Sequence, residues 1–332
     1  MLLLVLRASG NAHSQAAAGS YSPESYAAGN TPEAASSPIA TLGLPAAEAA
    51  ELRQAIEAHD YTAAERLLLK EINPDPHSLR AGRLLAFAGR VYFLNNDYLN
   101  AAIAWKKAEA IAPLDPSARF SLAMAYIKMG HADWARPVLE TLAAEQPKQA
   151  LYPYWLGRLD YDAQHYETAI VHFQQALAID PGMARAYDNL GLCYFYQNHN
   201  TLAIESYTKA IQLEEKTAHP SAWSHLNLAI ALQFLNRLDE AEAQLRKALQ
   251  IDPRLAQAHY QMGTLQEAQD HMDSAVASLK EASRLDAAYA EPHYALARIY
   301  RRQGQKTLAQ SEVDTYLRLR GAAHPAADPQ VH

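Results

Sequence analysis

The chain has 332 residues, 49% of them apolar, so a large core can form where the apolar positions recur regularly. Twenty-nine Lys and Arg stand against 36 Asp and Glu, a formal charge of −7, which argues against general nucleic-acid binding because that needs basic surface. Cys193 is the only cysteine, which excludes a disulfide within the chain, and no apolar run approaches the roughly 20 residues of a membrane span.

Residues 1–44 are rich in Ala, Ser, Gly and Pro, with few large apolar side chains after Leu6. Such a stretch buries too little surface to offset chain entropy and is expected to be a disordered tail. Its opening "LLLVL", followed by small residues and Ala12-His13-Ser14, resembles the end of a secretory signal. The apolar run is short and lacks a basic residue before it, as in a signal read from part-way through. The expectation is export to the periplasm or medium if this is a signal, and a cytoplasmic protein otherwise. The last residues, 322–332, also read as a tail.

Between the tails the chain repeats itself. "QALAIDPGMARAYDNLG" (Gln175 to Gly191) returns 72 residues later as "KALQIDPRLAQAHYQMG" (Lys247 to Gly263). Windows of 34 residues starting at Gly82, Pro116, Ala150 and Ala184, a four-residue insertion "AHPS" (Ala218 to Ser221), and windows from Ala222, Ala256 and Ala290 account for that spacing. The twentieth place is always Ala: Ala101, Ala135, Ala169, Ala203, Ala241, Ala275 and Ala309. The eighth is Gly or Ala. The twenty-fourth is bulky: Trp105, Leu139, Phe173, Tyr207, Leu245, Leu279, Val313. Tyr61, Ala64 and Leu68 mark a degenerate eighth unit before these, from about Pro45 to Ala81.

Within each window the apolar places recur at i, i+3, i+4 and i+7, the pattern of a helix with one buried face. A break falls near the fifteenth place, at Asn96, Gly130, Asn198, Asn236 and Gly304, and Pro113, Pro147, Pro181 and Pro253 close the second helix. Each window is therefore two helices. The small residues let them approach, and the bulky one fills the gap. One hairpin cannot bury its own apolar face, so the hairpins must stack.

This pattern resembles the tetratricopeptide repeat family over 45–321, in units near 45–81, 82–115, 116–149, 150–183, 184–217, 222–255, 256–289 and 290–321. The resemblance implies an all-α fold, a right-handed superhelical solenoid of antiparallel helix hairpins whose first helices line a concave groove. It implies a non-catalytic scaffold or adaptor that binds a peptide or partner protein there. An alternative is an accessory protein of envelope or pilus assembly, should the chain be exported. No cofactor, metal, nucleic acid or catalytic residue is expected, since no phosphate-binding Gly loop, HExxH or nucleophile elbow occurs.

His225, His259 and His293 share the fourth place of three successive units. Equivalent helices lie roughly 8–10 Å apart, too far for their nitrogens to converge within about 2.1 Å of one zinc. They are expected to fill an aromatic packing slot, as Tyr187 does. Cys193 is expected to be a buried structural thiol, and "RIYRRQGQK" (Arg298 to Lys306) a solvated last hairpin.

At 100° per residue, places two, six, nine and thirteen of the first helix point away from places four, seven, eight and eleven. That outward stripe carries Phe87, Arg90, Trp155, Arg158, Asn189, Tyr196, Trp223, Asn227 and Phe234. Aromatic and Arg side chains facing away from a core are the chemistry of a binding hot spot, and these nine are the candidate groove residues. Asn189 and Asn227 look like a short version of the asparagine ladder in the repeats of O-GlcNAc transferase, which implies that their amides hold a peptide backbone. The lysines of a carboxylate clamp are missing from the fifth place, which holds Ala86, Phe120, Tyr154, Asp188, Leu226, Tyr260 and Tyr294.

Overall fold

The structure, a computed structural model, describes residues 37–217 and 220–323. The described residues are all-helical and divide into two compact units, one ending at Asp180 and one beginning at Pro181. The first unit holds four hairpins: α1 (Ala46–Glu57) with α2 (Tyr61–Ile72), α3 (Leu79–Leu94) with α4 (Tyr98–Ile111), α5 (Pro116–Lys128) with α6 (Ala132–Glu145), and α7 (Leu151–Asp162) with α8 (Tyr166–Ile179). The second holds four more: α9 (Ala184–Tyr196) with α10 (Asn200–Glu214), α11 (Ala222–Phe234) with α12 (Leu238–Ile251), α13 (Ala256–Ala268) with α14 (Met272–Leu285), and α15 (Glu291–Arg302) with α16 (Lys306–Ala323).

The hairpin turn is the same in every repeat, and its chemistry explains the break at the fifteenth place. One residue takes a positive φ: His59, Asn96, Gly130 and Gln164 in the first unit, Asn198, Asn236, Asp270 and Gly304 in the second. The amide after it bonds five residues back, as Asp97 N–H does to Tyr92 O at 2.9 Å, and the left-handed residue itself bonds to the carbonyl three back, Asn96 N–H to Phe93 O at 3.1 Å. This pair of bonds satisfies carbonyls that the helix end leaves open. Gly and Asn accept that backbone readily, which made five of the turns legible. His59 and Asp270 accept it less readily and Gln164 has no such preference, and these three were not legible.

Each hairpin closes around the alanine of its second helix. Ala101, Ala135, Ala169, Ala203, Ala241 and Ala275 are all fully buried. The bulky residue one turn later is buried as well, as with Trp105, Phe173, Tyr207 and Leu279. It presses on the eighth place of the first helix. A Cβ added to Gly89 would lie 2.7 Å from the Trp105 ring, and one added to Gly157 2.9 Å from Phe173. The small–bulky alternation is thus an interhelix contact that admits no side chain at the glycine.

The margins of the array differ from expectation. The proposed tail extended to residue 44, but Ser37–Thr41 form a 3-10 turn, and Ile39 and Leu42 are buried. Two aliphatic side chains in one turn suffice to dock it. The second unit of the pattern starts earlier than 82, because Ser78 caps α3 by accepting from Ala81 N–H at 3.1 Å. At the other end α16 continues to Ala323. The expected tail over 1–36, its signal-like opening, and residues 324–332 lie outside the described residues. So do Ala218 and His219 of the insertion. Ser221 caps α11, its Oγ accepting from Trp223 N–H at 3.2 Å.

Candidate functional site

The nine candidate residues do not share one environment. In the first unit Phe87, Trp155 and Arg158 are buried, at 4%, 5% and 6% exposure, and do not face away from packed structure as the angular argument required. The Trp155 indole N–H finds no acceptor. Arg158 reaches Asp162 Oδ1 at 3.3 Å and lies 5.4 Å from the centre of the Tyr161 ring. Arg90 is half-buried, and burial holds its guanidinium below the ordinary range while the Asp115 carboxylate pulls the other way.

In the second unit Asn189 and Asn227 are also buried, and their amides are engaged within the protein. Asn189 Nδ2 donates to its own helix, to Arg185 O at 2.7 Å. Asn227 Nδ2 reaches across to α9 and lies 3.2 Å from both carboxylate oxygens of Asp188, itself 3% exposed. The pair braces α9 against α11, so the expected presentation of two amides to a peptide backbone is corrected. The physical reason is that the wheel treats a hairpin alone. First helices also pack on one another, and Asn227 at the sixth place of α11 meets Asp188 at the fifth place of the preceding first helix.

Tyr196, Trp223 and Phe234 remain partly accessible. Phe195 and Ile230 join them, both half-buried. Phe195 meets Phe234 edge-on with ring centres 5.8 Å apart, and touches Tyr196 at 6.1 Å. Helix α11 contains no Asp, Glu, Lys or Arg, so this part of the surface is aromatic and aliphatic without charge. Phe195 was missed because the twelfth place was left out of the stripe. The contact between the twelfth place of one first helix and the thirteenth of the next depends on stacking.

The same inter-repeat edge continues through the unit. Gln233 Nε2 donates to Gln261 O at 3.2 Å, joining α11 to α13. Arg298 Nε donates to Glu267 Oε1 at 2.8 Å, joining α13 to α15. A separate crevice of about 300 Å³ opens among α10, α11 and α12. Its α11 lining, Leu228 and Leu232, lies on the other side of that helix from Trp223 and Phe234.

Two of the three aligned histidines turn inward to their own hairpins. His225 Nδ1 pairs with Gln244 Oε1 at 2.7 Å, and His293 Nδ1 with Glu312 Oε2 at 2.6 Å. His259 Nε2 lies 2.9 Å from Pro253 O. His225 and His293 thus form a polar clasp between the two helices of a hairpin and do more than fill an aromatic slot, whereas His259 holds the connection that precedes α13. Burial pushes the His225 imidazole below its ordinary range, with the Gln244 hydrogen bond opposing. Cys193 is fully buried. Among the described residues no group of three or more His, Cys, Asp or Glu is placed to hold a metal ion, and no helix is long and apolar enough to cross a membrane.

Comparison with known proteins adds the family. Sequence models of the tetratricopeptide repeat match residues 157–198, 182–254 and 256–289. A DnaJ homolog subfamily C member 7 homolog of Dictyostelium discoideum is 27% identical over 148 residues, which are 41% of this chain and 28% of that protein. The chain spans less than a third of the curated relatives it matches. A tetratricopeptide repeat protein of Parabacteroides merdae aligns over 81% of this chain and 97% of its own, with a TM-score of 0.61 and 16% identity. The type IV pilus biogenesis factor PilW aligns over 64% of this chain and 95% of its own, with a TM-score of 0.56 and 20% identity. Both likenesses are likenesses of fold. Residues 157–289 are thus matched as tetratricopeptide repeats, and the same turn, alanine and bulky contact recur in the hairpins before and after them.

Proposed function

We propose that this protein is a non-catalytic scaffold that holds a segment of a partner protein on the first-helix face of α9 and α11. The observation that carries the reading is the row of half-buried apolar side chains on the uncharged α11, Trp223, Ile230 and Phe234, extended by Phe195 and Tyr196 beside Phe234. Tetratricopeptide repeat folds serve protein and peptide binding, and partly exposed aromatics are the side chains that dominate such contacts. Beneath the cluster the Asn227–Asp188 bonds fix the two helices, which keeps the surface rigid and lowers the cost of ordering it on binding.

The test is selection of a random twelve-residue peptide library on the full chain. Peptides rich in bulky apolar residues should be enriched, and Trp223→Ala with Phe234→Ala should remove the enrichment while circular dichroism stays unchanged. Enrichment that survives both changes in a folded protein would place binding elsewhere. Service in envelope or pilus assembly is the second form of this proposal and depends on export. Mass spectrometry of the mature N-terminus decides that: a chain retaining its first residues excludes it.

A further inference from the structure

The first-helix face of the second unit changes character along its length. At α11 and the end of α9 it is aromatic and aliphatic, with a half-buried Arg185 at the start of α9. At α13 the corresponding places hold Gln257, Gln261, Thr264 and Ala268. At α15 they hold Glu291, Ala295, Arg298 and Arg302, and Arg301 stands beside Arg302 at the twelfth place; the three arginines are exposed. The contacts from Phe195 to Phe234, from Gln233 to Gln261 and from Glu267 to Arg298 show that these places adjoin from one first helix to the next.

The acids near the basic end do not balance it. Glu267 is 9% exposed and is held by Arg298. Arg302 reaches Asp270, an 80% exposed side chain, at 3.2 Å, an ion pair of the solvated kind that contributes little. Among the described residues no ion pair holds Arg301. Arg298 and Arg302 are thus matched by Glu267 and Asp270, Glu291 is matched by Arg320, and the Arg301 guanidinium is left over at this end of the face.

We infer that the segment bound here is extended, with bulky apolar side chains at one end, which sit on α9 and α11, and carboxylates at the other, which sit on Arg301 and Arg302. This rests on the reading of that face as a binding surface. Two helix steps of roughly 8–10 Å put Phe234 and Arg301 about 20 Å apart, which an extended chain crosses in about six residues. Guanidinium forks suit carboxylates because they can donate two parallel hydrogen bonds. A rim contact of this kind is weakened by salt, whereas the aromatic end is not.

The peptide selection separates the two ideas. Enriched peptides should carry Asp or Glu about six residues from the apolar group, the reach of an extended chain. A fluorescein-labelled copy of the most enriched peptide should bind Arg301→Glu/Arg302→Glu at least about tenfold more weakly than the wild type. Replacing its acids by Gln should cost the same on the wild-type chain and nothing further on the variant. Both arginines are exposed, so the variant should keep its circular dichroism and melting temperature. Apolar enrichment with no acidic preference, or an acid spaced as on a helix, overturns the inference and leaves the aromatic site standing. No enrichment that depends on Trp223 and Phe234 overturns both.

Discussion

Gly191 and Tyr207 meet so closely that a Cβ on Gly191 would fall 2.6 Å from the Tyr207 ring. Tyr207 is 1% exposed and hemmed in by the core, so the ring cannot swing aside. Gly191→Ala should therefore lower stability by about 1–3 kcal/mol, the usual cost of overpacking. The chain already uses an Ala–Leu pair at the same two places, Ala229 with Leu245, both buried. Adding Tyr207→Leu to Gly191→Ala should recover part of the loss, so that the double change costs less than the sum of the singles. Thermal unfolding of the four proteins checks this, and strict additivity would mean the two residues do not contact.

The second helices begin in two ways. Asp97 takes φ −87° and ψ 71°, and its carboxylate accepts from Asn100 N–H at 3.2 Å. His165 takes nearly the same backbone, φ −85° and ψ 65°, with no side-chain cap. His165→Asp should supply that cap and raise stability by about 0.5–2 kcal/mol, while Asp97→Ala should lose a similar amount. Urea midpoints would read both. A His165→Asp protein no more stable than wild type would show that the histidine is compensated elsewhere.

His225 makes stability depend on pH in a definite direction. Burial lowers its folded-state pKa, so the unfolded chain takes up a proton first as pH falls through about 6.5. The unfolded state then binds more protons than the folded one, and stability falls as pH falls. His225 contributes its full share above that pH and loses it below. His225→Phe removes the titration, so its melting temperature should decline less between about pH 7 and pH 5 than that of the wild type. Parallel declines would remove His225 from the account.

Trp155 and Phe234 should part company on truncation. Trp155 is 5% exposed, so Trp155→Ala should destabilise the first unit by about 3–5 kcal/mol. Phe234 is half-buried and its replacement by Ala should cost less stability and more peptide binding. Measuring both quantities on both variants tests the assignment of one to packing and the other to a surface. Equal losses of stability would put Phe234 in the core as well.

The period, the hairpin and its small–bulky contact were legible in the sequence because they depend on residues within one unit. Ala203, Tyr207 and Gly191 lie on two helices joined by a tight turn, and the helical period alone places them face to face. Ile39 and Leu42 were misjudged because composition averaged over a tail conceals two aliphatic residues that find a neighbour. The accessible surface was decided only by stacking. Angle placed Asn227 and Trp223 on one outward stripe, yet the asparagine is buried against the preceding first helix and the tryptophan is left half open. A helical wheel knows which side of a helix its own partner occupies. Which flank the following repeat covers depends on packing between units far apart in the chain, and that packing sets burial, engages Asn227 with Asp188, and determines which aromatics remain free to meet a ligand.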